Sequence, residues 1–144
     1  MKKIIFLLII ILFSQTVFAA ALNSEFVVIN VPQNMIVNRT YDVSVTFKNT
    51  GTNTWTTPGG YKIVSQNPEN NNTWSVQEAT MDPDHYASTG MQNTFICQIT
   101  APSTPGNYNY QWKMKKGSTT FGEVSTNFVV IVHSAHPSNL GLTQ

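Results

Sequence analysis

The chain has 144 residues, with 8 Lys or Arg against 7 Asp or Glu, so its formal net charge at pH 7 is +1. Only 10% of the residues are charged, and a chain this poor in Lys and Arg lacks the basic surface that nucleic-acid binding requires. Its single cysteine excludes a disulfide within the chain.

The first 19 residues have the layout of a secretory signal peptide. Lys2 and Lys3 precede an apolar run at 4–13, and the small residues that follow predict cleavage after Ala19, with cleavage after Ala21 as the alternative. The apolar run is about half as long as the ~20 residues of a membrane-spanning helix, so no span is expected in the mature form. We therefore expect a secreted or periplasmic protein, in a style typical of bacteria.

Strand signals follow one another along the rest of the chain, and no window shows helical periodicity. Residues 25–31 are β-branched and aromatic, and Pro32 ends this strand. Residues 41–48 alternate between apolar and polar, as in a strand with one buried face, and Asn49-Thr50-Gly51 then forms a turn. Further strands are predicted at 54–57, 61–65, 73–76, 92–100, 108–114, 119–123 and 127–133.

About seven short strands with regular turn signals predict an all-β protein, an immunoglobulin-like antiparallel β-sandwich without a disulfide. An up-and-down barrel is the alternative, but proline-rich loops of unequal length favour the sandwich. We expect this sandwich domain to cover residues 20–133, followed by a flexible tail at 134–144.

Two tyrosines and one cysteine carry specific expectations for this sandwich. Tyr108 follows a Pro-Gly corner and is predicted to form a tyrosine corner, in which the hydroxyl bonds back to the loop backbone. Tyr110 stands where an immunoglobulin cysteine would fall, so packing of Trp112 and other aromatic residues must replace the disulfide. Cys97 is expected to be buried, with an intermolecular disulfide as the alternative.

A series of motifs spans nearly the whole predicted domain. It consists of Val43-Ser44-Val45-Thr46-Phe47-Lys48-Asn49-Thr50-Gly51, Trp55, Gly60-Tyr61-Lys62-Ile63, Ser65-Gln66-Asn67-Pro68, Trp74, Ala101-Pro102, Pro105-Gly106-Asn107-Tyr108, Gln111-Trp112-Lys113-Met114 and Phe121-Gly122-Glu123. In this order the stretch from about Val31 to Val132 resembles the immunoglobulin-like domain with several signature tryptophans. That domain is known from the centre of a selective-autophagy cargo receptor and from many bacterial exported proteins. The resemblance implies a non-catalytic module for protein interaction, without a cofactor.

Three aromatic residues, Trp55, Tyr61 and Trp74, are the predicted ligand-binding residues. Exposed aromatic rings flanked by Asn and Thr can stack on sugars or anchor a protein interface. The asparagine-rich loop at 67–73 could add hydrogen bonds beside Trp74. The expected partner is therefore an unidentified protein, and the alternative is a cell-surface glycan bound by a carbohydrate- or cell-wall-binding module. Packing in the core is the competing interpretation of all three rings.

Metal binding and catalysis are not expected. Asp82, Asp84 and His85 form a tight cluster of metal-capable side chains, but a calcium ion takes six to eight oxygen ligands, so a polar turn is the expected structure. His133 and His136 could form at most a weak pair at the end of the last strand. No nucleophile elbow and no defensible Cys–His pair is present, and the seven acidic residues are so scattered that a catalytic pair could arise only by accident, so we predict that the protein is not an enzyme.

Overall fold

The computed structural model describes residues 20–135, which form strands, turns and loops. The predicted signal peptide at 1–19 and most of the predicted tail lie outside the described residues. Between residues 20 and 135, no helix has the length and hydropathy needed to cross a membrane.

The described residues contain a succession of short strands. They are β1 (Ser24–Asn30), β2 (Asn34–Ile36), β3 (Thr40–Asn49), β4 (Trp55–Thr56), β5 (Tyr61–Ser65), β6 (Glu78–Thr80), β7 (Tyr86–Ala87), β8 (Gln92–Thr100), β9 (Gly106–Tyr110), β10 (Trp112–Lys116), β11 (Thr119–Val124) and β12 (Phe128–His133).

These strands form two layers. The first layer is the antiparallel sheet β1-β3-β8. The second combines the sheets β11-β10-β5-β6 and β2-β12-β9. The chain passes between these two sheets twice, from β9 to β10 and from β11 to β12. The short pair β4-β7 lies between β3 and β8 in the chain. Since the ladders are separate open sheets, the immunoglobulin-like β-sandwich is confirmed and the barrel alternative is wrong.

Two predicted strands differ from the structure. The strand predicted at 108–114 is divided at Gln111, because the Trp112 N–H donates to the Ser125 hydroxyl at 2.9 Å and the Ser125 N–H donates back to Trp112 O at 2.8 Å. The strand predicted at 73–76 is wrong, since Ser75 has a φ of 60° and the segment turns instead.

Aromatic packing fills the position of the missing disulfide. Tyr110 and Trp112 are fully buried, with ring centroids 5.7 Å apart in an edge-to-face arrangement. Burial raises the pKa of the Tyr110 phenol well above its ordinary value, so this group stays neutral. The Tyr108 hydroxyl donates to Thr104 O at 2.8 Å, which confirms the tyrosine corner.

A buried asparagine joins three loop segments at one end of the sandwich. The Asn49 amide nitrogen donates to Asn53 O and to Ala87 O, each at 2.8 Å, and its amide oxygen accepts the Gly51 N–H at 3.0 Å. The Asn49 backbone also bonds the next loop, donating to Met91 O at 2.8 Å. Asn49, which the sequence predicts to lie in a turn, is therefore fully buried and connects the loops through hydrogen bonds.

Replacing Asn49 should destabilise the fold in two distinguishable ways. Asn49→Ala leaves two carbonyl groups and one N–H without their partner, and we expect a loss of at least about 2 kcal/mol, since each buried unsatisfied group costs about 1–3 kcal/mol. Asn49→Asp keeps the shape but turns a carboxylate toward two carbonyl oxygens. Burial and these oxygens raise the pKa of that carboxyl above its unfolded value. The loss of stability is therefore smaller at low pH, where the neutral carboxyl still donates one hydrogen bond in place of two, and it grows as the pH rises from the unfolded pKa through the folded pKa.

Urea denaturation at pH 4 and pH 7 measures both effects, with the wild type as the control at each pH. A loss below about 0.5 kcal/mol for Asn49→Ala, within the range of ordinary surface substitutions, would contradict the structural role. An Asn49→Asp variant with the same penalty at both pH values would contradict the account of the buried donor.

Candidate functional site

The three aromatic residues predicted to bind a ligand are core residues. The solvent-exposed fraction is 0% for Trp55, 3% for Tyr61 and 2% for Trp74. Trp55 stacks on Tyr61 at a centroid distance of 6.3 Å, and both rings meet Phe121 at their edges. A ring enclosed in this way offers no face to a sugar or a partner, so the assignment of these residues as a binding site is corrected.

Trp74 fixes a loop to the second layer. Its indole N–H donates to Asn109 O at 2.9 Å, and its ring meets Tyr108 and Tyr110 edge-on at 6.0 and 5.7 Å. All of these partners of Trp74 lie within the domain.

The neighbouring asparagine-rich loop also uses its amides internally. The Asn71 amide nitrogen donates to Gln66 O at 3.0 Å and to Pro68 O at 2.6 Å, while its amide oxygen accepts the Thr73 N–H at 3.1 Å. These bonds hold the loop in shape, and they leave the Asn71 amide with little capacity for a ligand.

A concave surface lies elsewhere, beside the edge strand β8. It is a cleft of about 630 Å³, within the size range of ligand sites in proteins. One wall is formed by residues 80–86 and the other by residues 91–96. Buried Met81 lies at the cleft, and the exposed side chains of Tyr86 (59%) and Ile96 (73%) add apolar surface.

The acidic turn predicted at 82–85 borders this cleft. The Asp82 carboxylate accepts the Asp84 N–H at 3.0 Å and lies 3.7 Å from His85 Nδ1, so the turn is held by local polar bonds. Among residues 20–135, no three His, Cys, Asp or Glu side chains gather as a metal site would require. His133 instead contacts Asn34 Oδ1 at 2.8 Å, and His136 lies outside the described residues.

Asn93, at the wall of the cleft, has an unused hydrogen-bond donor that is enclosed within the protein. Only 5% of this residue is exposed, and its amide nitrogen has no hydrogen-bond partner within the described part of the chain. Asn93 lines the cleft, and an enclosed donor without a partner is costly in a folded protein. This nitrogen has less than 1 Å² of accessible surface, so it is closed to the cleft as well.

The backbone of β8 faces the cleft with a free edge. At one end of the strand the Asn49 N–H donates to Met91 O, and at the other the Ala101 N–H donates to Arg39 O, so the odd-numbered residues direct their backbone groups toward β3. Even-numbered residues therefore direct theirs away from β3, as the bond from the Thr100 N–H to Trp74 O shows. Among residues 20–135, these outward groups have no backbone partner at Gln92, Thr94, Ile96 and Gln98.

The opposite edge of the same sheet is protected. Strand β1 is interrupted by a bulge between Phe26 and Val28, and the Phe26 N–H donates to the Glu123 carboxylate at 3.0 Å. Bulges and covering groups are the usual means by which proteins block strand addition. Strand β8 is nine residues long and contains no Lys, Arg, Asp, Glu, Pro or Gly, so it has none of the usual protective residues.

Cys97 is half-buried and packs against the core on the inner face of β8. Burial raises the pKa of its thiol to about 11, so the thiolate form is scarce at neutral pH. The predicted burial is thus only partly realised, and the thiol is in an unreactive form.

Sequence reasoning did not find the cleft. The available signals were the absence of charge and proline from residues 92–100 and the isolated apolar side chain of Ile96 on the polar face of that strand. Both become informative only once β8 is known to be an edge strand.

Comparison with known proteins supports the fold. The solution NMR structure of a CARDB domain from Pyrococcus furiosus aligns over 78% of this chain and 94% of that domain, with 17% sequence identity and a TM-score of 0.51. A structure of AvmM, described as catalysing macrocyclization in alchivemycin A biosynthesis, aligns over 84% of this chain and 93% of its own, with 12% identity and a TM-score of 0.47, too low to carry an argument. No curated protein sequence matches the chain.

A family model described as the Ig-like domain from next to BRCA1 gene matches residues 29–133. This match runs from the end of β1 to the end of β12 and so includes the aromatic core, the acidic turn and the free edge of β8. The chain therefore belongs to this family of immunoglobulin-like domains.

Proposed function

We propose that this protein is a non-catalytic interaction domain that binds an extended segment of another protein by adding it as a strand to the free edge of β8. The observation that carries the proposal is the row of outward backbone groups at Gln92, Thr94, Ile96 and Gln98 beside the cleft. Main-chain hydrogen bonds provide affinity in this mode of recognition, and pockets for alternate side chains provide specificity.

The physical case rests on the contrast between the two edges of the first sheet. Each backbone hydrogen bond formed by an added strand contributes a net ~0.5–1.5 kcal/mol, so several bonds together give measurable binding. An added strand would also cover the exposed side chain of Ile96 and fill the cleft over Met81. Because β1 is blocked by its bulge and by Glu123, addition to this sheet is expected at β8 and not at β1.

The family membership is consistent with an interaction domain, and the burial of three tryptophans at 55, 74 and 112 supports assignment to the multi-tryptophan type. These residues stabilise the core, so in this proposal they contribute to binding only by holding the loops that border the cleft. No catalytic role is assigned to any residue.

A carbohydrate- or cell-wall-binding function is the second candidate, now at a different residue. Tyr86 is 59% exposed at the cleft and lies beside Asp82 and Gln92, which could hydrogen-bond to sugar hydroxyls. Substitution Tyr86→Ala should abolish glycan binding but leave main-chain strand addition largely intact, which separates the two candidates.

We also propose that the protein is exported to the periplasm or beyond, on the basis of the signal-peptide layout at residues 1–19. Contacts just after this segment support cleavage behind Ala19. The Thr52 N–H donates to Ala20 O at 3.2 Å, the Asn53 N–H donates to Ala21 O at 3.1 Å, and a Cβ at Gly51 would lie only 2.7 Å from Ala21 O.

The exported protein should therefore begin at Ala20. A chain that begins at Leu22 lacks both carbonyl acceptors, and we expect it to be less stable by ~1–3 kcal/mol in urea, since each net hydrogen bond contributes about 0.5–1.5 kcal/mol. Intact-mass analysis of the protein recovered from a bacterial envelope fraction identifies the mature terminus. A folded product that retains Met1 would contradict export, whereas a terminus at Leu22 would contradict only the cleavage position.

Hydrogen exchange in the free protein should alternate along β8. The amides of Thr94, Ile96 and Gln98 face the open edge and should exchange rapidly, while those of Phe95 and Cys97, bonded to β3, should exchange slowly by comparison. Residue-resolved exchange measured by NMR provides the test, and the neighbouring odd-numbered amides serve as internal controls. Uniform protection along the strand would mean that the edge is already covered.

Ile96→Pro should abolish partner binding while preserving the fold. Proline removes the outward N–H of this residue, which takes no part in the ladder to β3, and proline is tolerated on an edge strand in that orientation. Ile96→Thr is the matched control, because it keeps the N–H and the β-branched shape. Binding is measured by quantitative mass spectrometry of proteins retained from the envelope fraction, with urea midpoints to confirm folding.

A partner that binds wild type and Ile96→Thr but not Ile96→Pro supports strand addition. Retention of that partner by Ile96→Pro, and by a second variant Thr94→Pro, would show that binding takes place elsewhere.

A further inference from the structure

We propose that residues 20–23, the N-terminal strap, position the entrance to the free edge of β8, so that the site of N-terminal cleavage sets the affinity for the added segment. Cleavage after Ala19 leaves the strap complete, whereas cleavage after Ala21 removes its first two residues. This inference rests on the proposed strand addition and adds a means of regulating it.

The N-terminal strap is bonded along the loop that follows β3. Ala20 O accepts the Thr52 N–H at 3.2 Å, and Ala21 O accepts the Asn53 N–H at 3.1 Å. A Cβ atom at Gly51 would lie 2.7 Å from Ala21 O, so the close contact requires glycine at this position. Removal of Ala20 and Ala21 therefore leaves two N–H groups of the loop without their acceptors in the protein.

The same loop holds the segment 87–91, which connects β7 to β8. The Thr89 hydroxyl donates to Gly51 O at 2.8 Å. The Asn49 amide nitrogen donates to Asn53 O and also to the carbonyl oxygen of the first residue of the segment, each at 2.8 Å. The N-terminal strap and the segment 87–91 are thus bonded to the same few residues of one loop.

The segment 87–91 joins the two walls of the cleft. Tyr86 precedes it on one wall and Met91 begins the other, and both side chains are exposed. The Gly90 N–H donates to Asn49 O at 2.7 Å, immediately before β8 begins. A less firmly held entrance adopts the binding arrangement for only part of the time, and the apparent affinity falls in proportion to that fraction.

A strap that only stabilised the fold would behave differently. Loss of global stability raises the population of unfolded protein, but the molecules that remain folded still present β8 in the same way. A positioning role instead changes the local order of the segment 87–91 within the folded state. Backbone order in the folded protein is therefore the decisive measurement.

Order parameters from ¹⁵N relaxation test this role without a partner. In the chain that begins at Ala20, we expect Gly90 and Met91 to lie near the value of ~0.85 that is typical of rigid backbone. In the chain that begins at Leu22, both should fall below ~0.7, while Phe95 in the middle of β8 stays near ~0.85.

A selected peptide measures the consequence for binding. A displayed library of random octapeptides is selected against the chain that begins at Ala20, and a peptide is retained whose binding Ile96→Pro abolishes. The chain that begins at Leu22 should bind this peptide about fivefold more weakly in fluorescence polarisation, under conditions in which both chains are folded.

The connection through Thr89 is tested by a double-mutant cycle. Thr89→Val removes the hydrogen bond to Gly51 O, and Thr89→Ser is the matched control that keeps the hydroxyl. Because the strap acts partly through this bond, truncation to Leu22 should weaken binding less in Thr89→Val than in Thr89→Ser, by at least about twofold. Gly51→Ala, whose Cβ displaces the strap in the full-length mature chain, repeats the comparison should the truncated chain fail to fold.

The outcomes separate this inference from the proposed function. Unchanged order parameters at Gly90 and Met91, or peptide affinities of the two chains within about twofold, would overturn the role of the strap and leave strand addition standing. Equal losses in Thr89→Val and Thr89→Ser would overturn the connection through the loop. Failure to select any peptide that requires the Ile96 N–H would overturn strand addition and this inference with it.

Discussion

The position of the candidate site depends on the buried amide of Asn49. One amide group holds the loop that leads to β4, the end of β7 at Ala87 and, through Gly51, the turn against which residues 20–23 pack. The backbone of the same residue bonds Met91, immediately before β8 begins. Asn49 thus bonds Ala87, which follows one wall of the cleft, and Met91, which begins the other. This role explains why an asparagine is completely buried in a protein with a hydrophobic interior.

Around this connection, aromatic packing performs the stabilising role that a disulfide has in many immunoglobulin-like domains. Trp74, Tyr110 and Trp112 form a chain of edge-to-face contacts across the second layer. Such contacts add about 0.5–1.5 kcal/mol per pair to the burial of the rings themselves. Their consequence for function is indirect, because rings buried in the core cannot also form a recognition surface.

How far the sequence predicts the structure depends on the range of the interaction concerned. The alternation in residues 41–48 and the Pro-Gly corner before Tyr108 are local patterns, and both predictions are confirmed. The burial of Trp55 and the role of Asn49 depend on residues far along the chain, such as Phe121 and Ala87, and could not be read from neighbours in sequence. The free edge of β8 is still harder to predict from sequence, because an edge strand is defined by the absence of a second pairing strand.

The two edges of the first sheet show how this domain can present one open strand without exposing another. A covered edge at β1 prevents addition on that side, since the bulge disrupts the ladder and Glu123 already occupies the Phe26 N–H. The open edge at β8 is flanked by the acidic turn and by the segment that caps Thr100, so an added strand is confined to the interval between them. Between these limits the outward backbone groups are those of Gln92, Thr94, Ile96 and Gln98, which bounds the length of strand that can be added. In the proposed mode of binding, the charged side chain that lines the cleft beside this interval is that of Asp82, so its carboxylate should influence which segment is added.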